Sequence, residues 1–205
     1  MTLIDAGTPF ASGRLLDGLR AMGKDPGDIR RIVLTHSHYD HAGSAARIAH
    51  GTGARVIVHA EDAAYARRGR PPTPDVRYVV TRLFGIPVNQ AFPGVEVDEE
   101  IKDGDVLPIA GGLRVVHTPG HTPGHVSLLL ESSGILITGD TILNVGGLRG
   151  LPAYVSHDFP LYQRTRHMLG ELDYTMAAFT HGPEMRDRPR ERIRAWLRKR
   201  PVLDR

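Results

Sequence analysis

The run Thr35-His36-Ser37-His38-Tyr39-Asp40-His41 constrains the fold more than any other stretch of this chain. Four side chains able to bind a metal, His36, His38, Asp40 and His41, lie within six residues. An apolar, strand-like stretch, Ile32-Val33-Leu34, leads directly into them. Side chains two apart in extended backbone point to the same side, so His36 and His38 can reach one cation. Imidazole nitrogens and carboxylates are ligands for zinc or another borderline divalent metal. Three more candidates stand alone: His121 in Pro119-Gly120-His121, Asp140 in Thr138-Gly139-Asp140, and His181 in Thr180-His181-Gly182. The chain has no cysteine, which excludes disulfides and thiolate ligands. The candidates repeatedly fall just past a strand-like stretch, and strand ends gather on one edge of a sheet, where distant ligands converge.

Periodicity sets out the elements around these residues. Leu3 to Gly7 reads as the end of a strand. Pro9 to Met22 reads as a helix with Leu15, Leu16, Leu19 and Met22 at a 3.6-residue period and Gly23 as its cap. Arg31–Thr35 and Arg55–His59 read as strands, Ser44–His50 as a short helix closed by Gly51, and Glu61–Arg68 as another helix. From Val95 to Asp140 the pattern is β, with Leu113–His117 as a strand and a hairpin turning at Ser132-Ser133-Gly134. A helix is expected over Leu161–Leu172, a last strand over Ala177–Thr180, and a final helix that turns Ile193, Trp196 and Leu197 inward. Residues 61–94, broken by Arg70-Pro71-Pro72-Thr73-Pro74, form the candidate segment for a substrate-covering flap or a homodimer contact, with packing onto the sheet as the plain alternative.

A chain of 205 residues predicts one domain over 1–205 with a sizeable core. Its net charge is +3, and only Lys24, Lys102 and Lys199 among its 26 basic residues are lysines. The arginines are scattered, so codon bias explains them better than a nucleic-acid surface, and no nucleic-acid partner is expected. No apolar run reaches membrane-spanning length and no signal segment is visible, so the expected location is cytoplasmic with no membrane contact. Glycine-rich segments lack phosphate-loop spacing, and no serine stands in a nucleophile elbow.

Taken together and in chain order, the seven candidates resemble the full ligand set of the metallo-β-lactamase superfamily. That resemblance covers Leu3 to about Trp196. It implies an α+β fold, the αββα sandwich of that superfamily. Most members carry two or so further strands before the stretch matching Leu3-Ile4-Asp5-Ala6-Gly7, so the expectation is a trimmed first sheet or a start inside the reading frame. By the same resemblance, His36, His38 and His121 form a first metal site. Asp40, His41 and His181 form a second, with Asp140 bridging the two. Two divalent ions are implied, zinc first, with manganese or iron as alternatives. They would activate a bridging hydroxide against a small-molecule thioester, ester or lactone, with Asp40 and Asp140 as the catalytic carboxylates.

Within the superfamily, Gly139-Asp140-Thr141-Ile142-Leu143 followed by Gly146-Gly147-Leu148-Arg149 is similar to the glyoxalase II type, which hydrolyses small thioesters. Lactonases and β-lactamases are the neighbouring readings. A persulfide dioxygenase, with one iron on His36, His121 and Asp140, is the reading from another class. Arg149, Tyr154 and His157 are candidate substrate contacts, each with ordinary surface or packing roles as the alternative. His125 is expected to support a ligand rather than coordinate. His59 and His117 read as strand-end packing residues, and His50 as a helix surface residue.

Overall fold

The computed structural model describes residues 1–79, 90–200 and 202. Two sheets stack face to face with helices on both outer sides. The first sheet has the order β1 (Thr2–Ile4), β2 (Arg31–Val33), β3 (Arg55–His59) and β4 (Glu99–Ile101), all parallel. The second runs β11 (Met176–Ala178), β8 (Ile135–Ile137), β7 (Val126–Leu130), β6 (Leu113–His117) and β5 (Val106–Leu107). Its β11–β8 pair is parallel and the rest are antiparallel. Helices α1 (Ser12–Ala21), α2 (Tyr39–Ala42, a single turn), α3 (Ala45–Thr52) and α4 (Ala60–Arg68) belong to the first half. Helices α5 (Phe159–Thr165) and α6 (Pro189–Arg198) belong to the second.

Alternation along the strands produces the layers. Ile32, Val56 and Val58 face α1, α3 and α4, while Val33 and Ile57 face the other sheet. On β6 and β7, Leu113, Val115, Val126 and Leu128 point into the space between the sheets. Val116 and Leu129 point the other way, to Ile193 and Leu197 of α6. Strands covered on both faces need apolar residues at successive positions, which is why these stretches read as continuous apolar runs.

Several boundaries differ from the sequence expectation. Helix α3 runs through Gly51 to Thr52 and stops at Gly53, whose φ of 70° makes the left-handed cap. Helix α5 starts at Phe159, capped by the Asp158 carboxylate, and tightens to a 3-10 helix over Arg166–Gly170. The strand expected over Ala177–Thr180 is Met176–Ala178, so His181 lies on the loop beyond it. Strand β4 leaves the β-rich second half to pair with β3 across a long connection. Residues 80–89, the middle of the expected flap, lie outside the described residues, and the homodimer contact expected there is an open matter. Among the described residues no helix is long and apolar enough to cross a membrane.

Leu128 is fully buried in the inter-sheet layer. Leu128→Ala is expected to destabilise the protein by about 2–5 kcal/mol, read from the urea midpoint at unchanged slope.

Candidate metal centre

The ligand candidates arrive from four loops at one end of the sandwich. The first follows β2 and turns into α2, the second joins β6 to β7, the third follows β8, and the fourth follows β11. All seven predicted ligands come together. His36 Nε2 lies 3.1 Å from His121 Nε2, and His38 Nδ1 lies 2.9 Å from the same nitrogen. His41 Nε2 and His181 Nε2 are 3.3 Å apart. Asp40 Oδ2 is 3.7 Å from His41 Nε2 and 3.5 Å from His181 Nε2. Asp140 faces both groups: Oδ2 is 3.5 Å from His121 Nε2, and Oδ1 is 3.5 Å from both His41 Nε2 and His181 Nε2.

These spacings fit a divalent cation. Zinc–nitrogen bonds of about 2.0–2.1 Å in a tetrahedron put ligand atoms roughly 3.3–3.4 Å apart. The edges joining His41, His181, Asp40 and Asp140 lie between 3.3 and 3.7 Å. Without a cation, inward-facing nitrogens at such distances gain little from one another. His121 Nδ1 is also buried without a hydrogen-bond partner.

Two carboxylates that were not singled out in the sequence orient this cluster. Asp5 accepts from the Thr35 backbone N–H at 2.7 Å and from Thr35 Oγ1 at 2.8 Å. Thr35 Oγ1, having given its proton to Asp5, accepts from His36 Nδ1 at 3.0 Å. His41 Nδ1 donates to Asp5 at 2.9 Å. Both imidazoles are thereby held with the Nε2 lone pair inward, as a metal-binding histidine requires. Asp5 itself takes φ of 60°, a left-handed conformation that aspartate tolerates better than most residues. Asp62 on α4 is fully buried and accepts four bonds. They come from Ser37 N and Oγ, both at 2.8 Å, from Thr122 Oγ1 at 2.8 Å, and from Gly124 N at 2.7 Å. Gly124 lets this approach happen, because a Cβ there would meet the Asp62 backbone.

His125 does not point its nitrogen at the cluster. Its Nε2 accepts from the Asp140 backbone N–H at 2.9 Å, which leaves Nδ1 to donate to Thr118 Oγ1 at 2.9 Å. Gly139 allows this contact: its φ is 54°, and a Cβ would stand 2.6 Å from His125 Nε2. Thr180 Oγ1 donates to Asp140 Oδ1 at 2.7 Å. His59 and His117 stack at the two strand ends, with ring centroids 4.0 Å apart.

Charge is distributed unevenly in the cluster. Burial first, and then the neighbouring imidazoles, push His36 and His121 well below the ordinary histidine value. Burial brings His38 and His125 down to about 4. Burial also disfavours a charged His41, yet Asp140 and Asp5 overcome it and raise His41 well above its ordinary value. Burial would raise Asp140, but His41 beside it holds the carboxyl well below the usual range. A hydrogen bond to Asp40 raises His181. Three of the nitrogens are therefore neutral and ready to coordinate, and the carboxylates are ionised.

A cavity of about 270 Å³ opens over the cluster. His38, Asp40, His121, Asp140 and His181 form its floor, and Tyr39, Pro74, Leu143, Val145, Leu151 and Val155 form its walls. Arg149 is exposed and donates to the Val145 carbonyl. Tyr154 sits on the turn that supplies Val155. His157 is tied to the Thr73 carbonyl at 2.8 Å. None of these three is among the lining residues. Tyr162, unremarked in the sequence, braces the wall from behind: its hydroxyl donates to the Thr141 carbonyl and accepts from Leu151 N.

Asp62→Ala leaves four buried donors without an acceptor. Zinc affinity is expected to fall about 10–100-fold by chelator competition, and Asp62→Asn, which keeps one acceptor oxygen, to lose less. For the chelated protein, histidines held below their ordinary value (His36, His38, His121, His125 and His59) bind fewer protons folded than unfolded. Their stabilising contribution is present above the unfolded value of 6.5 and is lost as pH falls toward about 4. The raised histidines His41 and His181 act oppositely but are fewer. The urea midpoint of the chelated protein is expected to drop between about pH 7 and pH 5.

Comparisons with known proteins show the family. The family model described as the metallo-beta-lactamase superfamily matches residues 2–181. A probable metallo-hydrolase of Bacillus subtilis is 27% identical over 76% of this chain and 65% of its own length. A hydroxyacylglutathione hydrolase of Anaeromyxobacter dehalogenans is 38% identical over 70% of this chain and 42% of its own length. The chain thus spans less than two thirds of either curated relative. Among solved structures, a metallo-beta-lactamase family protein from Thermus thermophilus superposes with a TM-score of 0.72 at 27% identity, covering 96% of this chain and 69% of that one. A B3 metallo-beta-lactamase with an active-site glutamic acid gives 0.71 at 27% identity, covering 97% and 79%. An αββα sandwich with a His/Asp cluster at its strand ends, matched over residues 2–181, makes this chain a member of the metallo-β-lactamase superfamily.

Proposed function

We propose that this chain is a dinuclear metal-dependent hydrolase of a small-molecule thioester, ester or lactone, with zinc as the first choice of metal. The observation that carries the reading is the Asp140 carboxylate, with Oδ2 toward His121 and Oδ1 toward His41 and His181. One ion would be held by His36, His38 and His121, the other by Asp40, His41 and His181, with Asp140 shared. When bound, the cations supply water acidified toward neutral pH and positive charge for the substrate oxygen.

The chain's own groups do the rest. Asp40 is more exposed than Asp140 and borders the cavity. Burial would raise its pKa, but the His181 hydrogen bond and the neighbouring His41 together lower it, so Asp40 is ionised at neutral pH. Its carboxylate can orient the attacking water and carry the proton to the leaving group. The apolar walls limit water around the reacting carbonyl. The relatives named hydroxyacylglutathione hydrolases support thioester cleavage as the first subclass to assay.

Elemental mass spectrometry of the purified protein is expected to find two zinc ions per chain, or two manganese or iron ions. A single iron ion would overturn the reading in favour of dioxygenase chemistry. Asp140→Ala is expected to lose metal and to lower hydrolysis by roughly 100-fold or more. Near-normal turnover with two metals retained would sink it.

A further inference from the structure

We infer that the cavity selects an uncharged aliphatic acyl group of about four to eight carbons beside the scissile bond, rather than an anionic glutathione moiety. The inference rests on the hydrolase reading of the same site and narrows its substrate.

The cavity is divided in chemistry. Its floor is the His/Asp cluster, where the reacting carbonyl must sit. Its walls are Leu143 and Val145 on β9 (Leu143–Asn144) and its turn, Leu151 and Val155 beyond β10 (Leu148–Arg149), with Pro74 and Tyr39. Among the described residues, no lysine or arginine lines it. The nearby cations are engaged elsewhere. Arg149 is turned to the Val145 carbonyl at 2.6 Å, and Arg77 is paired with Asp75 at 2.7 Å and Asp158 at 3.6 Å. A substrate with carboxylates flanking the reacting bond would bring them against leucine and valine with no lining cation among the described residues to pair them, which costs free energy. An alkyl chain there removes apolar surface from water on both sides. At roughly 30 Å³ per small group, the liquid-water share, the 270 Å³ cavity has room for about nine such groups, enough for the reacting group and a short acyl chain.

The reaction balances as a hydrolysis. Water adds its oxygen to the acyl carbon, the C–S or C–O bond breaks, and the leaving thiol or alcohol takes the proton. The products are a carboxylic acid and that thiol or alcohol. The acid product keeps the acyl chain, so its binding reports the wall without any turnover.

The test pairs kinetics with binding on the zinc-loaded protein. Turnover of p-nitrophenyl esters from acetyl to dodecanoyl is measured alongside S-lactoylglutathione. Binding of butyrate, hexanoate and octanoate is measured by calorimetry. Both kcat/KM and affinity are expected to rise about two- to fourfold per methylene up to about eight carbons and then level off. Val155→Asp, at a half-buried wall position, is expected to cut the octanoyl-over-acetyl preference tenfold or more and octanoate affinity with it. Esterase activity that is flat in chain length, with flat carboxylate affinity, overturns the inference and leaves the hydrolase reading standing. So does a preference above tenfold for S-lactoylglutathione over the octanoyl ester. Chain-length-dependent binding with no hydrolysis of any substrate overturns the hydrolase reading instead and leaves the wall's specificity standing.

Discussion

The buried carboxylate of Asp62 joins the two halves of the sandwich at the end where the metal centre forms. Its four donors belong to Ser37, on the loop after β2, and to Thr122 and Gly124, on the loop between β6 and β7. Ser37 lies between His36 and His38, and Thr122 follows His121. The three nitrogens of the first group are therefore set by one acceptor from a helix that supplies no ligand. A buried carboxylate is tolerable only when it accepts hydrogen bonds, and this one accepts four. Burial pushes its pKa up while the four donors oppose that rise. Apolar packing brings the sheets together, and this acceptor fixes how the loops at their ends face each other.

Asp5 does the matching work across the two groups. It holds His41 directly and His36 through Thr35, one imidazole from each group. His125 in turn anchors the Asp140 backbone. The protein thus uses buried polar groups for orientation, in a region where an unpaired one would cost roughly 1–3 kcal/mol.

Much of the candidate site was legible because the candidate ligands fall at or soon after the ends of apolar stretches, and strand ends converge on one edge. The close run from His36 to His41 reads at once, since extended spacing puts His36 and His38 on one side. His125 could be set apart from His121, but its anchoring of Asp140 could not be read from the chain. Asp62 gave no signal, since an acid in the first turn of a helix is ordinary cap chemistry. Asp5 had a faint one, a carboxylate at a strand end two residues before glycine. Strand β4 pairs with β3 only through tertiary packing, and the short β9–β10 pair is too brief for periodicity to mark. Residues 61–94 and 143–160 are the stretches from which the sequence leads one to expect the pocket's shape, and the wall comes largely from them; within 143–160 the polar Arg149, Tyr154 and His157 are the conspicuous candidates, while the side chains that face the cavity are Leu143, Val145, Leu151 and Val155.

The β9 strand that carries this wall is not an independent flap. The backbone N–H of Asn144 donates to the carbonyl of His181, the Asn144 side chain holds the Pro183 carbonyl, and Gly182 packs directly on the Asn144 backbone. Wall and ligand are one mechanical piece. A guest too wide for the cavity would press on Leu143 and pull on His181, so bulk at the wall would reach the His/Asp cluster. Under the proposed hydrolase reading, discrimination against large molecules would then arise as lost turnover as well as weak binding, and variants that widen the wall would also disturb His181.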